Sequence, residues 1–241
     1  MRVNSLLIVA SFVCLLVSFW NRNDLPGKID YVPALDSEPQ QTPTRERPFN
    51  VLFKDVEYEV EPEYAYDITG MVVSFRHHKH ESSRMHRLSN DHLNMLDVCV
   101  IWGDNPGNER LDKISFWNGI FTCNFKTRDQ QAWDAFDVTQ ISNNHLLSDD
   151  EFIRRQVRKI RIGDQVRVRG FLAGYTSGGG GRRGTSTTRT DTGDGACETI
   201  YVNHFEIVEP ATSYWRISMW ASLAVLLVTL GIHFARPYRP N

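Results

Sequence analysis

Two long uncharged segments, one at each end of the chain, constrain its fold more than any other feature of the sequence. The first covers residues 3–21 and the second covers residues 217–235. Each is close to the roughly 20 residues that an α-helix needs to cross the hydrocarbon core of a bilayer. We therefore predict an N-terminal transmembrane anchor at residues 1–21 and a C-terminal transmembrane helix at residues 214–236, followed by a short tail, 237–241.

The first segment has features of an anchor rather than of a secretory signal peptide. A cleavable signal ends in small residues at its processing site. Here the apolar run ends in Val17, Ser18, Phe19 and Trp20. Bulky aromatic side chains at that point favour a helix that stays in the membrane.

Positive charges beside the second segment predict its orientation. Arg236 and Arg239 follow it, whereas only Arg216 precedes it closely. Arginine and lysine are enriched on the cytoplasmic side of membrane helices. We therefore expect both termini in the cytoplasm and the intervening domain on the other side, with the reversed topology as the alternative.

The region between the two segments is a soluble domain on a spacer. Charged residues make up 23% of the chain, which excludes a polytopic transporter. Residues 22–50 contain five prolines among polar residues, a composition typical of an extended linker. The remaining residues, 51–210, are enough for one β-rich domain.

Strand patterns dominate this domain, and one helix interrupts them. Ser148, followed three residues later by Glu151, forms a capping box ahead of apolar residues at helical spacing. A short hairpin with a polar turn is predicted at 51–60, and strands are predicted at 68–75, 96–102, 114–125, 165–175 and 198–208. This order predicts a mainly β fold with one short helix, an OB-like Greek-key barrel, with another β-rich barrel or sandwich as the alternative.

Three stretches resemble an uncharacterised family of bacterial membrane-anchored proteins with an OB-like extracytoplasmic domain. They are residues 96–105, 142–149 and 183–198. The resemblance implies a bacterial inner membrane and a periplasmic central domain. It implies no activity and no catalytic residue.

The clearest catalytic candidates lie just before the predicted helix. Ser142 and His145 could act as nucleophile and base, with Asp104 as a distant partner. The alternative, which we favour, is a turn in which Ser and Asn side chains satisfy backbone groups and His145 packs beneath them.

A histidine-rich polar stretch gives weak candidates for a metal site. His78, His80 and His86 fall within it, and His78 and His80 would share one face of an extended chain. The spacing matches no standard ligand pattern, so a solvated loop is favoured. We expect no bound metal and no cofactor.

Arginines concentrate in residues 152–190, inside an otherwise acidic domain. The helical and strand periods predict that Arg154, Arg158, Arg167 and Arg169 face the solvent. The candidate ligand-binding residues are these four together with Arg182, Arg183 and Arg189.

Cys99, Cys123 and Cys197 fall on or beside predicted strands. Outside the cytoplasm, three thiols permit one disulfide and leave one cysteine over. Buried reduced cysteines are the alternative, and the spacing does not determine the pairing.

These features predict a membrane-tethered, non-enzymatic binding module that recognises an anionic ligand, a glycan or an envelope protein. Its partners would be the lipid bilayer, through two helices, and an anionic envelope polymer or membrane protein. One alternative is an envelope hydrolase that uses His145 with Ser142 or Asp104. Another is a cytoplasm-facing OB module that binds nucleic acid.

Overall fold

The computed structural model divides the chain into two compact units. One contains the terminal segments, up to Leu25 and from Thr212 onward, and the other is Pro26–Ala211. The structure describes residues 3–26, 28–78, 91–119, 121–176, 180–191, 193 and 196–235.

The described residues form four helices and ten strands. The helices are α1 (Val3–Asn21), α2 (Gln130–Asp134), α3 (Glu151–Val157) and α4 (Tyr214–Ala235). The strands are β1 (Gln40–Pro43), β2 (Phe49–Phe53), β3 (Val56–His77), β4 (Asn94–Ile101), β5 (Ile114–Asn118), β6 (Cys123–Thr127), β7 (Ile141–Leu147), β8 (Gln165–Thr176), β9 (Arg182–Arg183) and β10 (Cys197–Glu209).

The terminal unit consists of α1 and α4, both long and apolar enough to cross a membrane. Most of their apolar side chains are exposed, as expected of surfaces that contact lipid. Polar groups join the two helices. The Asn4 amide donates to the Thr229 carbonyl over 3.2 Å, and the Ser18 hydroxyl donates to that of Ser218 over 3.0 Å.

The central unit is built on an eight-stranded sheet in the order β1-β3-β4-β7-β10-β8-β9, with β2 paired to β3. The long strand β3 also pairs with β8, from Val60 opposite Tyr175 to Met71 opposite Gln165. β7 and β10 are parallel. The other strand pairs are antiparallel. The fold is therefore mainly β between two apolar helices, as the sequence predicts.

The main apolar core covers one face of the central strands. Leu96 and Val98 of β4, Leu146 of β7 and Ile200 of β10 are all nearly inaccessible to solvent. Helix α3 packs Ile153 and other apolar residues against them. Because side chains alternate along a strand, the intervening residues Asp97, Cys99, Asn143, His145, Cys197 and Thr199 point to the opposite face of the sheet.

Strand β7 corrects the prediction of a turn at residues 142–145. Ile141–Leu147 pairs with β4 on one side and with β10 on the other. All but the first residue of this strand are buried. A strand covered on both faces lacks the alternation of apolar and polar residues that reveals a half-exposed strand, which is why the pattern was not recognised.

Helix α3 begins later than the predicted capping box requires. Asp150 is the N-cap, and its carboxylate accepts from the backbone amides of Phe152, over 2.6 Å, and Ile153, over 3.4 Å. Ser148 instead accepts from the Asp150 amide over 3.2 Å. An aspartate at the N-cap satisfies the same free amides as a serine would.

Two further segments differ from their predictions. Residues 114–125 were expected to form one bulged strand, but they belong to a separate hairpin, β5 with β6, followed by the unpredicted helix α2. Part of the predicted linker packs on the domain. Within it, Leu35 is fully buried and Gln40–Pro43 pairs with β3.

Gly170 lies where β8 approaches β10 most closely. A Cβ atom placed there would overlap the carbonyl oxygen of Tyr201. We expect Gly170→Ala to lower the free energy of unfolding by about 1–3 kcal/mol, because the backbones must separate to admit a methyl group. The matched control is Gly174→Ala on the same strand, where the nearest atom would be 3.4 Å away. Denaturant unfolding of the detergent-solubilised chain measures both, and equal losses would contradict the expectation.

Candidate functional site

A buried cluster of one carboxylate and two imidazoles lies on the face of the sheet opposite the apolar core. Asp97 of β4 is opposite His145 of β7 in the strand register. His145 Nδ1 donates to Asp97 Oδ1 over 2.5 Å. His78, just after β3, places Nε2 2.9 Å from the same oxygen. Three segments of the domain therefore meet at one carboxylate.

The electrostatics of this cluster favour an ion pair. Burial alone would raise the pKa of Asp97, but hydrogen bonds from His145 and His78 outweigh burial and hold that pKa below its usual range. Burial alone would lower the pKa of His145, but hydrogen bonds with Asp97 and Cys197 outweigh it and raise the pKa to about 9. His145 is therefore an imidazolium at neutral pH.

Cys197, the first residue of β10, lies beside His145. The interaction between the two side chains raises the pKa of His145. Because Nδ1 of the ring is bound to Asp97, Nε2 is the nitrogen that remains for the thiol. The Cys197 sulfur also donates to the carbonyl of Phe121 over 3.2 Å and accepts from Asn143 Nδ2 over 3.4 Å.

The β5–β6 hairpin covers this polar face and is fixed to it covalently. A disulfide joins Cys99 of β4 to Cys123 of β6, with their Cα atoms 5.8 Å apart. Asn118 Nδ2 donates to Asn143 Oδ1 over 3.1 Å, and the Asn143 amide donates to Phe121 O over 3.1 Å. The prediction of one disulfide and one remaining cysteine in the domain thus agrees with the structure, which leaves Cys197 as the free thiol.

A cleft of about 850 Å³ opens between the hairpin, β7, β10 and the segment that follows β8. Cys197, His145 and Asn143 line its floor, and Arg183, Thr185 and Asp191 line the side formed by that segment. The hairpin contributes residues 121–125. The cleft therefore brings a thiol, an imidazole, an amide and a guanidinium to one surface.

The structure gives His145 partners other than those predicted. Ser142 lines the same cleft, but its hydroxyl accepts from the Asn144 amide over 2.8 Å. Asp104 lies in a turn where its backbone amide donates to Gln140, and it is not among the cleft residues. His145 is buried, as the packing alternative expects, but its ring is hydrogen-bonded to Asp97.

The metal candidates are only partly within the described residues. His78 binds Asp97, whereas His80 and His86 lie outside the part of the chain that the structure describes. Among the described residues, no group of three or more His, Cys, Asp or Glu side chains is arranged to hold a metal ion.

Arg154 corrects the prediction that it faces the solvent. Its side chain is 6% exposed, and its guanidinium donates to the carbonyls of Ser148, Leu93 and His92. Burial lowers the pKa of Arg154. Because α3 packs one face on the sheet, this residue points inward. Its guanidinium joins the segment before α3 to the segment before β4.

The other candidate arginines differ in exposure and most have acidic partners. Arg158 and Arg169 are exposed, as predicted, and Arg158 lies 3.5 Å from Glu151. Arg167 is partly exposed and makes a bidentate pair with Asp67. The remaining pairs are Arg182 with Glu61, Arg183 with Asp91 and Arg189 with Glu198. Of the seven, Arg183 is the one that lines the cleft.

Asp97 and Cys197 were not recognised as partners of His145. Asp97 did carry a signal, because it is an ionisable residue inside the apolar run Leu96–Trp102. A carboxylate in a buried strand needs a cation or several donors, and a histidine is a suitable partner. Cys197 carried no such signal, since its sequence context is a polar loop.

Comparisons of the chain with protein-family models, with curated proteins and with solved structures found no match.

The raised pKa of His145 predicts that stability falls in mildly alkaline solution. Its pKa is 6.5 in the unfolded reference and about 9 in the fold. The stabilisation by protonated His145 is complete below pH 6.5 and is lost as the pH rises through 9. We expect the free energy of unfolding to fall over this range by on the order of 1–3 kcal/mol.

Denaturant unfolding of the full chain in detergent at several pH values measures this dependence. The control is His145→Gln, which keeps an amide near Asp97 but cannot titrate. The expectation is wrong if the variant shows the same slope between pH 6.5 and pH 9 as the original protein.

Proposed function

We propose that the protein is a membrane-tethered binding module whose central domain is an OB-like Greek-key barrel. Three observations support this fold. The strand pairs run from β3 through β4, β7, β10 and β8 and return to β3. β7 and β10 are parallel, and α3 lies between β7 and β8 in the chain. These correspond to the strand order and helix position of the OB-fold.

The position of the cleft carries the functional proposal. OB barrels bind ligands on the outer face of their second and third strands and in the adjoining loops. In this chain those strands would be β4 and β7, and the loop between the fourth and fifth strands would be the one that joins β8 to β10. Described residues of that loop, including Arg183 and Thr185, line the cleft together with β7. The ligand therefore binds between the hairpin and this loop.

Arg183 indicates an anionic ligand. Its side chain is 29% exposed and its guanidinium stacks 4.2 Å from the centre of the Phe121 ring. Its Nε atom is 3.5 Å from Asp91. The two terminal nitrogens of the guanidinium are then the donors that can bind a ligand in the cleft. Asn143 and Thr185 add neutral donors, and Asp191 adds one negative charge. This combination suits a carboxylate-bearing oligomer, such as an envelope glycan or a peptide, better than a polyphosphate.

The two terminal helices would anchor the module in a bacterial inner membrane with both termini in the cytoplasm and the central domain in the periplasm. The Cys99–Cys123 disulfide supports an oxidising compartment for the domain. In the reversed topology the same cleft would face the cytoplasm, where nucleic acid is an available anion.

Protease treatment of spheroplasts tests the orientation. We expect added protease to digest the central domain of the intact chain, because the domain is exposed at the outer surface of the inner membrane. The digestion should leave both terminal helices in the membrane. Full protection of the domain would support the reversed topology, and release of a soluble domain cut near Trp20 would contradict the N-terminal anchor.

Binding of short fluorescent peptides tests the role of Arg183. We expect a tetraglutamate to bind the detergent-solubilised chain more tightly than a tetraglutamine, and to weaken with salt. Arg183→Gln should lower the affinity for tetraglutamate about tenfold, since a hydrogen bond to a charged group contributes about 1.5–3 kcal/mol.

The matched control is the neighbouring Arg182→Gln, whose side chain is 65% exposed and pairs with Glu61. This variant should change the affinity less than twofold, an effect typical of exposed pairs. Equal affinity for the two peptides, or equal losses in the two variants, would contradict an anion site in the cleft.

A further inference from the structure

We propose that Cys197 is a catalytic nucleophile, activated by His145 as general base, and that the cleft transfers acyl groups. The substrate class is an ester, thioester or amide that carries a carboxylate near the reacting carbonyl. This inference rests on the proposed binding cleft but adds a chemical step that a binding module lacks.

The geometry is that of a nucleophile, a base and a group that orients the base. Cys197 is half-buried at the floor of the cleft, so a substrate can reach its sulfur. His145 is hydrogen-bonded to Asp97, and it lies in the row of the sheet next to that of Cys197 and lines the same cleft. Asp97 is 0% exposed and fixed by three donors, from His145, His78 and Asn94. It is therefore a positioning residue that holds the ring with one nitrogen toward the thiol.

Adjacent strands hold this arrangement rigidly. Asp97, His145 and Thr199 occupy one row across β4, β7 and β10, and Cys99, Asn143 and Cys197 occupy the next. A second restraint comes from the hairpin, where Phe121 has a φ of 59°. The left-handed backbone is costly for an aromatic residue, yet it aims the Phe121 carbonyl at both Cys197 and Asn143.

Charged groups of both signs surround the thiol. His145 faces it from β7, and behind His145 lie Asp97 and His78. Arg183 is on the loop side of the cleft with Asp91 beneath it, and Asp191 lies further along the same loop.

The reaction follows from these positions. The unprotonated form of His145, which becomes populated as the pH approaches 9, takes the thiol proton. The Cys197 sulfur then attacks the substrate carbonyl carbon, forming a carbon–sulfur bond and an oxyanion. Asn143 Nδ2, 3.4 Å from the sulfur, is the nearest side-chain donor for that oxyanion.

The oxyanion then collapses, and the leaving group departs with the proton from His145, leaving an acyl thioester on Cys197. Water, deprotonated by His145, attacks the thioester and releases a carboxylic acid. The thiol is restored, and the net change is hydrolysis of one acyl bond by one water.

Arg183 would select the substrate. It lines the same cleft as Cys197, and its guanidinium carbon lies over the Phe121 ring, 4.2 Å from the ring centre. A carboxylate bound there would present the attached acyl group to the sulfur. The cleft is therefore expected to prefer anionic acyl donors over neutral ones of similar size.

Two chromogenic esters test the inference on the full chain in detergent. We expect mono-4-nitrophenyl succinate to release a burst of nitrophenolate close to one per chain and to leave an acyl group on the peptide that contains Cys197. 4-Nitrophenyl butyrate, which lacks the carboxylate, should react at least tenfold more slowly. Peptide mapping by mass spectrometry locates the adduct.

Variants separate the roles of the residues. Cys197→Ser should form no thioester, and His145→Gln should slow acylation about 10²- to 10⁴-fold, the usual range for loss of a general base. Cys14→Ser, which changes the other free cysteine, in α1, should react at the original rate. Asp97→Asn should shift the pH profile of acylation as well as its rate, an effect that a purely structural role would not produce.

A measurement on the unmodified chain avoids dependence on whether the variants fold. Alkylation of Cys197 by iodoacetamide, located by peptide mapping, should abolish the nitrophenolate burst. A full burst from the alkylated chain would overturn the inference. So would acylation of His145→Gln at the original rate, or mapping that finds Cys197 linked to Cys123, because the thiol would then be a disulfide-exchange group.

Failure of the binding proposal and failure of this inference give different results. If tetraglutamate binds with the expected Arg183 dependence but Cys197 is not acylated, the binding site stands and the catalytic inference is wrong. If Cys197 is acylated equally by both esters and Arg183→Gln has no effect, the nucleophile stands and the anion site is wrong.

Discussion

The buried carboxylate of Asp97 is the interaction on which the polar half of the sheet depends. A carboxylate removed from water costs several kcal/mol unless donors compensate it. Here the compensation comes from His145 and His78, at 2.5 Å and 2.9 Å, on separate segments of the chain. A slip of β7 by one residue would move His145 into the apolar core and leave Asp97 without its closest donor. The ion pair therefore fixes the strand register as well as the site.

The β5–β6 hairpin makes this arrangement possible because it gives the sheet a second covered face. Without it, the row that contains Cys99, Asn143 and Cys197 would be open to water, and the ion pair beside it would be screened. The hairpin is secured by the Cys99–Cys123 disulfide and by Asn118, which binds Asn143. The hairpin also forms one wall of the cleft. The same element therefore shields the buried ion pair and determines how a ligand reaches the thiol.

The sequence predicts the parts of this fold whose patterns are local. The two terminal helices and the half-exposed strand β8 follow from hydropathy and alternation, and the structure contains them. β7 was missed because both of its faces are buried. The site was missed because His145 is separated from Asp97 by 48 positions in the sequence. Likewise, the arginine-rich segment looked like a basic surface until the fold brought Asp67, Glu61 and Asp91 beside its members.

The strand order explains why Cys197 is not paired with Cys99. Cys99 and Cys197 are both directly opposite Asn143, on β4 and β10 respectively. Two strand spacings separate their Cα atoms by roughly 9–10 Å. This is beyond the limit of about 7 Å for a disulfide without backbone movement. Asn143 occupies the position between them and donates to the Cys197 sulfur, so the residue that separates the cysteines also stabilises the free thiol.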